Sequence, residues 1–423
     1  MVCKFEAVRT TMSTATAGNT QDFTTNAAGF GTPTAAIVLV SKALTDTTVA
    51  NEGVASVGIT DGTNQRTWAS DFQNVGTGNT NTKCRGETSE VIYVHNVVGT
   101  GTHGRASFAS WINDGTNYGL RVTIDTQFNA AYKVAVFLFG GDVQGVVNDY
   151  AAPSSGGTTT VSGLPFAPDL IFAIGNRTWN STNVDVGSVV YGLAARVPSL
   201  VNAGFHMGCP DNITTSTCYV AIDNYCGYGG GTLNAESPKQ SVTSFTSDGF
   251  VITEGAGAAG IPQAYLALHL PNLPLYLGII STPTSTGNAS FTGFGFQPQA
   301  YMLLTTMADA TATTQVDTRA SACGIGIVAG ATPTQHAQSL SQKDNVSTQV
   351  AKCVSDAAAA EQLGDAGTVL IRAAHNAFLS DGVQLNFTIA DGTSRKWVLL
   401  GLGSNAKSDP LPRRRAIRHF LGR

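Results

Sequence analysis

Charge is what this sequence has least of. Charged residues fill 12% of its 423 positions, about half the usual share of about 25%, so uncharged polar groups must build most of the surface. The net charge of -4 gives the body no basic footprint for nucleic acid. No stretch approaches the roughly 20 apolar residues of a membrane-crossing helix. The start, Met1-Val2-Cys3-Lys4-Phe5-Glu6, lacks the apolar segment of a secretory signal, which predicts synthesis in a cytoplasm. The 7 cysteines contain no C-x-x-C pair, which argues against a zinc site and a closed disulfide framework; Cys209, Cys218 and Cys226 are near enough in sequence to include one bridge.

Catalytic patterns are missing too. H-E-x-x-H, G-x-S-x-G and the P-loop do not occur. Residues 255–260 match G-x-G-x-x-G in letters, but Ile261-Pro262 and a further strand follow, not the helix N-terminus that would hold a phosphate. Among the 7 histidines there is no i, i+4 pair, and His206, close to Cys209, has no evident third ligand. The expectation is a protein that is not an enzyme and carries no cofactor and no metal.

What is present is a repeat. Four blocks recur three times in one order. A Gly/Phe turn and a Pro precede an apolar run at Pro33, Pro168 and Pro298. Glycines at 58, 192 and 324 follow these prolines by 25, 24 and 26 residues. A third block ends in Asp114-Gly115, Asp248-Gly249 and Asp381-Gly382, and an apolar strand closes each unit at 135–139, 265–268 and 397–400. After the third block apolar residues alternate with polar ones, as in Leu120, Val122 and Ile124 against Arg121, Thr123 and Asp125. That period of two marks strands with one wet face. The opening runs read as strands buried on both faces.

The fold class predicted is therefore all-β: three tandem homologous antiparallel β-sandwiches, of which the jelly roll is one form. Residues 20–142, 157–271 and 287–404 form the repeats, between an N-terminal arm (1–19) and a basic C-terminal arm (405–423). The Pro/Gly/Ser-rich segments between repeats read as linkers. One short helix is expected near residues 349–362, where Ala357–Ala360 interrupt the pattern. A period of about 130 residues exceeds that of solenoids, so the units are expected to have separate cores, in a pseudo-threefold or rod-like arrangement.

Few side chains stand out as site candidates. Asp114, Asp248 and Asp381 recur, and Asp before Gly is turn chemistry, with the carboxylate bonding nearby backbone; a cation or sugar ligand is the functional alternative. Trp68 and Trp179 fall in Asn/Thr-rich loops and are the candidate glycan contacts, whereas Trp111 and Trp397 lie inside repeat blocks and read as core. Within residues 408–423 the net charge is +4, leaving -8 for the rest. There Arg413, Arg414, Arg415 and Arg418, with Ile417, Phe420 and Leu421, make a basic amphipathic arm suited to an assembly contact.

Low charge, Gly/Thr/Ala-rich β repeats and the opening seen in Phe291-Thr292-Gly293-Phe294-Gly295-Phe296-Gln297-Pro298 and Val161-Ser162-Gly163-Leu164-Pro165-Phe166-Ala167-Pro168 resemble virion structural proteins of tailed bacteriophages. The resemblance covers the three repeats and not the arms, and the first unit lacks the second Phe at Gly31-Thr32-Pro33. It implies a non-enzymatic appendage or decoration protein of the virion, a homo-oligomer with other virion proteins as partners. The alternative it leaves is a carbohydrate-binding adhesin or receptor-binding fibre module that contacts a host surface glycan.

Overall fold

A computed structural model describes residues 2–404, apart from 13–15, 43–48, 51, 76–78, 96–101, 152, 154–155, 176–185, 211–218, 229–238, 256–262, 312–313, 316–319, 344–349 and 365–366. The described residues are strands, turns and loops without a helix, and none of their elements is a helix long and apolar enough to cross a membrane.

The strands fall into three groups. The first comprises β1 (Cys3–Met12), β2 (Thr20–Thr25), β3 (Ala35–Lys42), β4 (Val49–Ala50), β5 (Glu52–Thr60), β6 (Gln65–Val75), β7 (Asn79–Glu87), β8 (Ile92–His95), β9 (Thr102–Asn113), β10 (Tyr118–Thr126) and β11 (Tyr132–Gly141). The second comprises β12 (Gln144–Tyr150), β13 (Thr158–Val161), β14 (Leu170–Gly175), β15 (Val186–Val197), β16 (Ser199–Pro210), β17 (Tyr219–Asp223), β18 (Gly227–Tyr228), β19 (Lys239–Thr246), β20 (Gly249–Glu254) and β21 (Gln263–His269). The third comprises β22 (Leu275–Ser281), β23 (Gly287–Thr292), β24 (Pro298–Asp309), β25 (Thr314–Gln315), β26 (Ala320–Ala329), β27 (Thr334–Lys343), β28 (Val350–Ser355), β29 (Ala360–Leu363), β30 (Val369–Leu379), β31 (Gly382–Ile389) and β32 (Arg395–Gly403).

Each group builds a large sheet and a four-stranded one with the same connectivity. The large sheets run β1-β11-β3-β5-β6-β7, β12-β21-β14-β15-β16-β17-β25 and β22-β32-β24-β26-β27-β28-β4; the small ones run β2-β10-β9-β8, β13-β20-β19-β18 and β23-β31-β30-β29. Consecutive strands such as β5, β6 and β7, or β8, β9 and β10, are neighbours in one sheet. The closing strand breaks this order, β11 lying between β1 and β3 and β10 beside β2, so each sandwich joins meanders by crossover connections.

Alternation explains the layering. On β10, Leu120, Val122 and Ile124 are buried against the large sheet of their own unit. On β3 both faces are covered: Ala36, Val38 and Val40 enter the sandwich core, while Ala35, Ile37 and Leu39 point the other way into a second core. That second core is common to the three units, joining Phe5 and Phe137 of the first to Phe172 and Phe205 of the second and to Met302 and Leu400 of the third. The units thus keep private sandwich cores and also share a central one, which corrects the expectation of wholly separate cores.

The terminal and connecting segments are corrected for the same reason. Residues 3–12, read as part of an arm, pair with β11 over ten positions, and Cys3, Phe5 and Ala7 fill the shared core. β12 and β22, read as linkers, pair with β21 and β32 in the equivalent way, and Val143 with Val147 and Leu275 with Leu277 take the same inward places. Short, half-polar edge strands carry too weak a pattern to be seen alone. The helix expected at 349–362 is instead β28 and β29. Alanine favours helix, but here the segment packs on Gly326, whose lack of a side chain admits the Ala359 carbonyl, 1.9 Å from where a Cβ would lie.

Neighbouring units also exchange strands. β4 of the first adds to β28 of the third, and β25 of the third adds to β17 of the second. Both come from the loop after the opening strand of a unit; the corresponding loop of the second unit, 176–185, lies outside the described residues. Each addition covers a sheet edge that would otherwise present unpaired backbone.

Candidate functional site

The sequence candidates come first. Trp68 lies on β6 and is fully buried in the shared core, with its indole N–H donating to the Ser188 carbonyl of the second unit at 3.3 Å. It presents no face to a sugar, because its position in the alternation of β6 turns it inward with Phe72. Trp179 and the arm residues Arg413, Arg414, Arg415, Ile417, Arg418, Phe420 and Leu421 lie outside the described residues. Cys218 does as well, as does the Cys209 side chain, while Cys226 is a buried free thiol. Trp397 is fully buried, and Trp111 is half-buried.

His206 is paired with Ser188, Nε2 to Oγ at 2.8 Å, a contact that resembles a base beside a nucleophile. Burial pushes the imidazole down to about 3, so it is neutral. Both side chains are at most 4% exposed, and Cys84 holds the Ser188 backbone from the other side, its Sγ 3.2 Å from both N and O. Both lie in the second unit and are closed off from solvent, so the pair is structural, and it is the Ser188 backbone, held by Cys84 and Trp68, that fastens the second unit to the first. Among the described residues no three His, Cys, Asp or Glu side chains are grouped to hold a metal.

The recurring aspartates are turn residues with a wider reach than the sequence implied. Asp114 closes its own hairpin, accepting the N–H groups of Thr116 and Asn117 at 2.9 and 2.6 Å; these bonds, led by one from the Asn117 side chain, bring its carboxyl down to about 2. Asp381 instead accepts the N–H groups of Gly293 and Gly295 at 3.1 and 2.5 Å, and Asp248 that of Gly163 at 3.2 Å. In these two units the aspartate ties the third block to the Gly/Phe turn that opens the unit, where Gly163, Gly293 and Gly295 have φ of +85°, +92° and +77°.

Where units meet there are clefts. One of about 580 Å³ lies between Pro33, Asp61 and Trp111 of the first unit and Gln144 and Phe166 of the second. Another of about 330 Å³ lies between Pro298, Gln299 and Phe378 of the third unit and Lys4, Glu6 and Phe30 of the first. They are equivalent: Trp111 and Phe378 face Leu120 and Val383 at the same point of their hairpins, and Gln144 and Lys4 begin matching edge strands. Trp111 packs edge-on against Phe108 at 4.9 Å and against Gly62, where a Cβ would approach its Nε1 to 2.3 Å. Asp61 is fully engaged, accepting from Thr63, Asn64 and, across the boundary, Val147. Burial raises Glu6 in the second cleft. At the remaining boundary the equivalent aromatic, Phe245, is covered by the Arg196 guanidinium, 5.4 Å from the ring centre.

Ion pairs fasten the same boundaries. Arg66 meets Asp149 at 2.5 Å. Asp356 receives Lys133 and the buried His336, both at 2.8 Å; burial alone would raise Asp356, but these two donors outweigh it and hold the carboxyl below its ordinary range. Arg9 completes this contact through the Gln335 and Asp356 carbonyls.

No family model matches the chain, and no curated protein matches it.

Proposed function

We propose that the chain is three tandem copies of one β-sandwich, joined into a single block that serves as a non-enzymatic structural component of a phage virion, an appendage or decoration protein. The observation that carries this reading is the shared core, in which three units of like connectivity interlock and exchange edge strands. Such a block has threefold character within one polypeptide and turns its polar loops outward, which suits attachment at a threefold or pseudo-threefold position of a larger particle. The basic arm, 405–423, supplies the contact to other virion proteins or to a further copy. Purified particles should contain the chain in stoichiometric amount by mass spectrometry, and deleting 405–423 should remove it from them; absence of the full-length chain from particles would end the reading.

The clefts favour a second reading, a carbohydrate-binding module of an adhesin or receptor-binding fibre. The half-exposed Trp111, with Phe166 and the Gln144 amide beside it, offers the aromatic platform and amide that neutral sugars use. Glycan binding that disappears in Trp111→Ala and survives in Trp68→Phe would support it.

A further inference from the structure

Superposing the three units by their strand registers exposes one place where the second differs in kind. On β10 and β31 the last inward residues are Ile124 and Phe387, opposite Ala106 and Ala373. The same place on β20 holds Glu254, opposite Gln240. Beside it, Gln263 on β21 stands where β11 and β32 have Val134 and Trp397, and Tyr150 on β12 where β22 has Ile280.

The four polar groups form a chain. The Tyr150 hydroxyl donates to Gln240 Oε1 at 2.5 Å and lies 3.3 Å from Gln263 Oε1, and Gln240 Nε2 donates to Glu254 Oε2 at 3.1 Å. The chain ends at Glu254 Oε1, which is buried without a partner, on a residue 1% exposed. Glycine makes the room: a Cβ on Gly175 would lie 3.2 Å from the Gln263 side chain, and one on Gly227 2.6 Å from its Oε1. So the second unit differs from the other two at several positions on different strands, and together these seat one carboxyl group in a sandwich core.

Among the described residues no neighbouring group neutralises it. Tyr150 lies near both Glu254 and Cys226, and burial raises Tyr150 and Cys226; Tyr265 on β21 is raised to about 12. Lys239, next to Gln240, pairs with Asp223 at 3.0 Å, and Asp149, next to Tyr150, pairs with Arg66. Among the described residues Glu254 has no ion pair. A buried carboxylate without a cation is costly, and the protonated acid is the form such a site accepts.

We propose that Glu254 makes the second unit a proton-sensitive element: protonated, it lets the small sheet seat on the large one as in the other units, and ionised, it loosens β19 and β20 from β12 and β21. The direction follows from linkage. Burial pushes the Glu254 carboxyl up to about 7 from an ordinary 4.5, so the folded state holds a proton that the unfolded chain releases. The stability that Glu254 contributes is fully present below the unfolded value, falls as pH rises from there through the folded one, and levels off above it.

The test uses the full chain and hydrogen exchange, corrected for intrinsic base catalysis, from about pH 5 to about pH 8. Amides of residues 240–254 should exchange progressively faster with pH than those of the equivalent segments 106–124 and 373–387. In Glu254→Gln, which keeps the shape of the neutral acid, that difference should vanish, and the fall of melting temperature over the same range should flatten. An equal rise in all three segments, or the same rise in Glu254→Gln, overturns the proposal. If Glu254→Gln does not fold, the wild-type comparison between segments decides alone.

Discussion

The private cores and the shared core of this protein are built from different kinds of sequence information. Each sandwich core draws on one continuous stretch and on strict alternation, as in Val122 and Val38 of the first unit or Leu385 and Leu303 of the third. The shared core joins Cys3 to Leu402 and collects residues from all three units. Four of the five described free cysteines, Cys3, Cys84, Cys323 and Cys353, lie in it. Burial pushes Cys3 and Cys84 up to about 12 and raises the other two further, so they act there as small apolar side chains and not as nucleophiles. The contrast teaches that the units are alike because each is a sandwich, and inseparable because their second faces need one another.

The sharpest way to break that contrast is to cut the chain at its two ends. Deleting residues 2–12 removes β1 and with it Cys3, Phe5 and Ala7, and should abolish cooperative unfolding as followed by calorimetry; deleting 405–423 should leave the melting temperature unchanged. A truncated chain that melts normally without β1 would mean the shared core is dispensable. Next in size, Trp68→Ala should cost about 3–5 kcal/mol in chemical denaturation, the range for emptying a large aromatic site, whereas Trp111→Ala at the cleft should cost clearly less.

Glycines sharpen the comparison between units. A Cβ on Gly192 would lie 1.7 Å from the Cys226 carbonyl oxygen, so Gly192→Ala forces the backbone apart, at about 1–3 kcal/mol or more; Gly58→Ala and Gly326→Ala should behave alike, since Val91 and Ala359 carbonyls stand at 1.8 and 1.9 Å. Smaller still, Asp381→Ala should cost about 1–2 kcal/mol and Asp248→Ala about 1 kcal/mol, following the two and one backbone N–H groups each side chain accepts. The least effect belongs to Asp114. Its lowered carboxyl stabilises the hairpin above the unfolded value near 3.8, and that contribution disappears as pH falls through about 2, an effect that Asp114→Asn should remove from an acid unfolding curve.

Repeat spacing located the units but could not fix their register. Counting from the prolines selects Gly324 and Gly115, but the strand pairings make Gly326 and Gly119 the partners of Gly192 and Gly249. Gly326 faces Leu303 as Gly192 faces Ala173, and Gly119 meets the Phe23 carbonyl as Gly249 meets that of Val161, at 2.0 and 1.9 Å. Two glycines a few residues apart look alike in sequence; only the carbonyl that presses on one of them tells which has no room for a side chain. Trp68 shows the same limit, since nearby Asn and Thr residues suggested a loop, while its pairing with Val57 and Gly86 places it mid-sheet.

By itself the sequence determined the all-β class, the hairpins and the opening strands buried on both faces, because alternation, Gly/Asp turns and apolar runs act over a few neighbouring residues. The tertiary structure decided what the second buried face of each large sheet meets. It also decided which edge strands complete the sheets, why Trp68 is core, and why Glu254 stands alone among apolar equivalents. Those outcomes depend on contacts between residues hundreds of positions apart, and a pattern read along the chain carries no information about which surfaces will face each other across it.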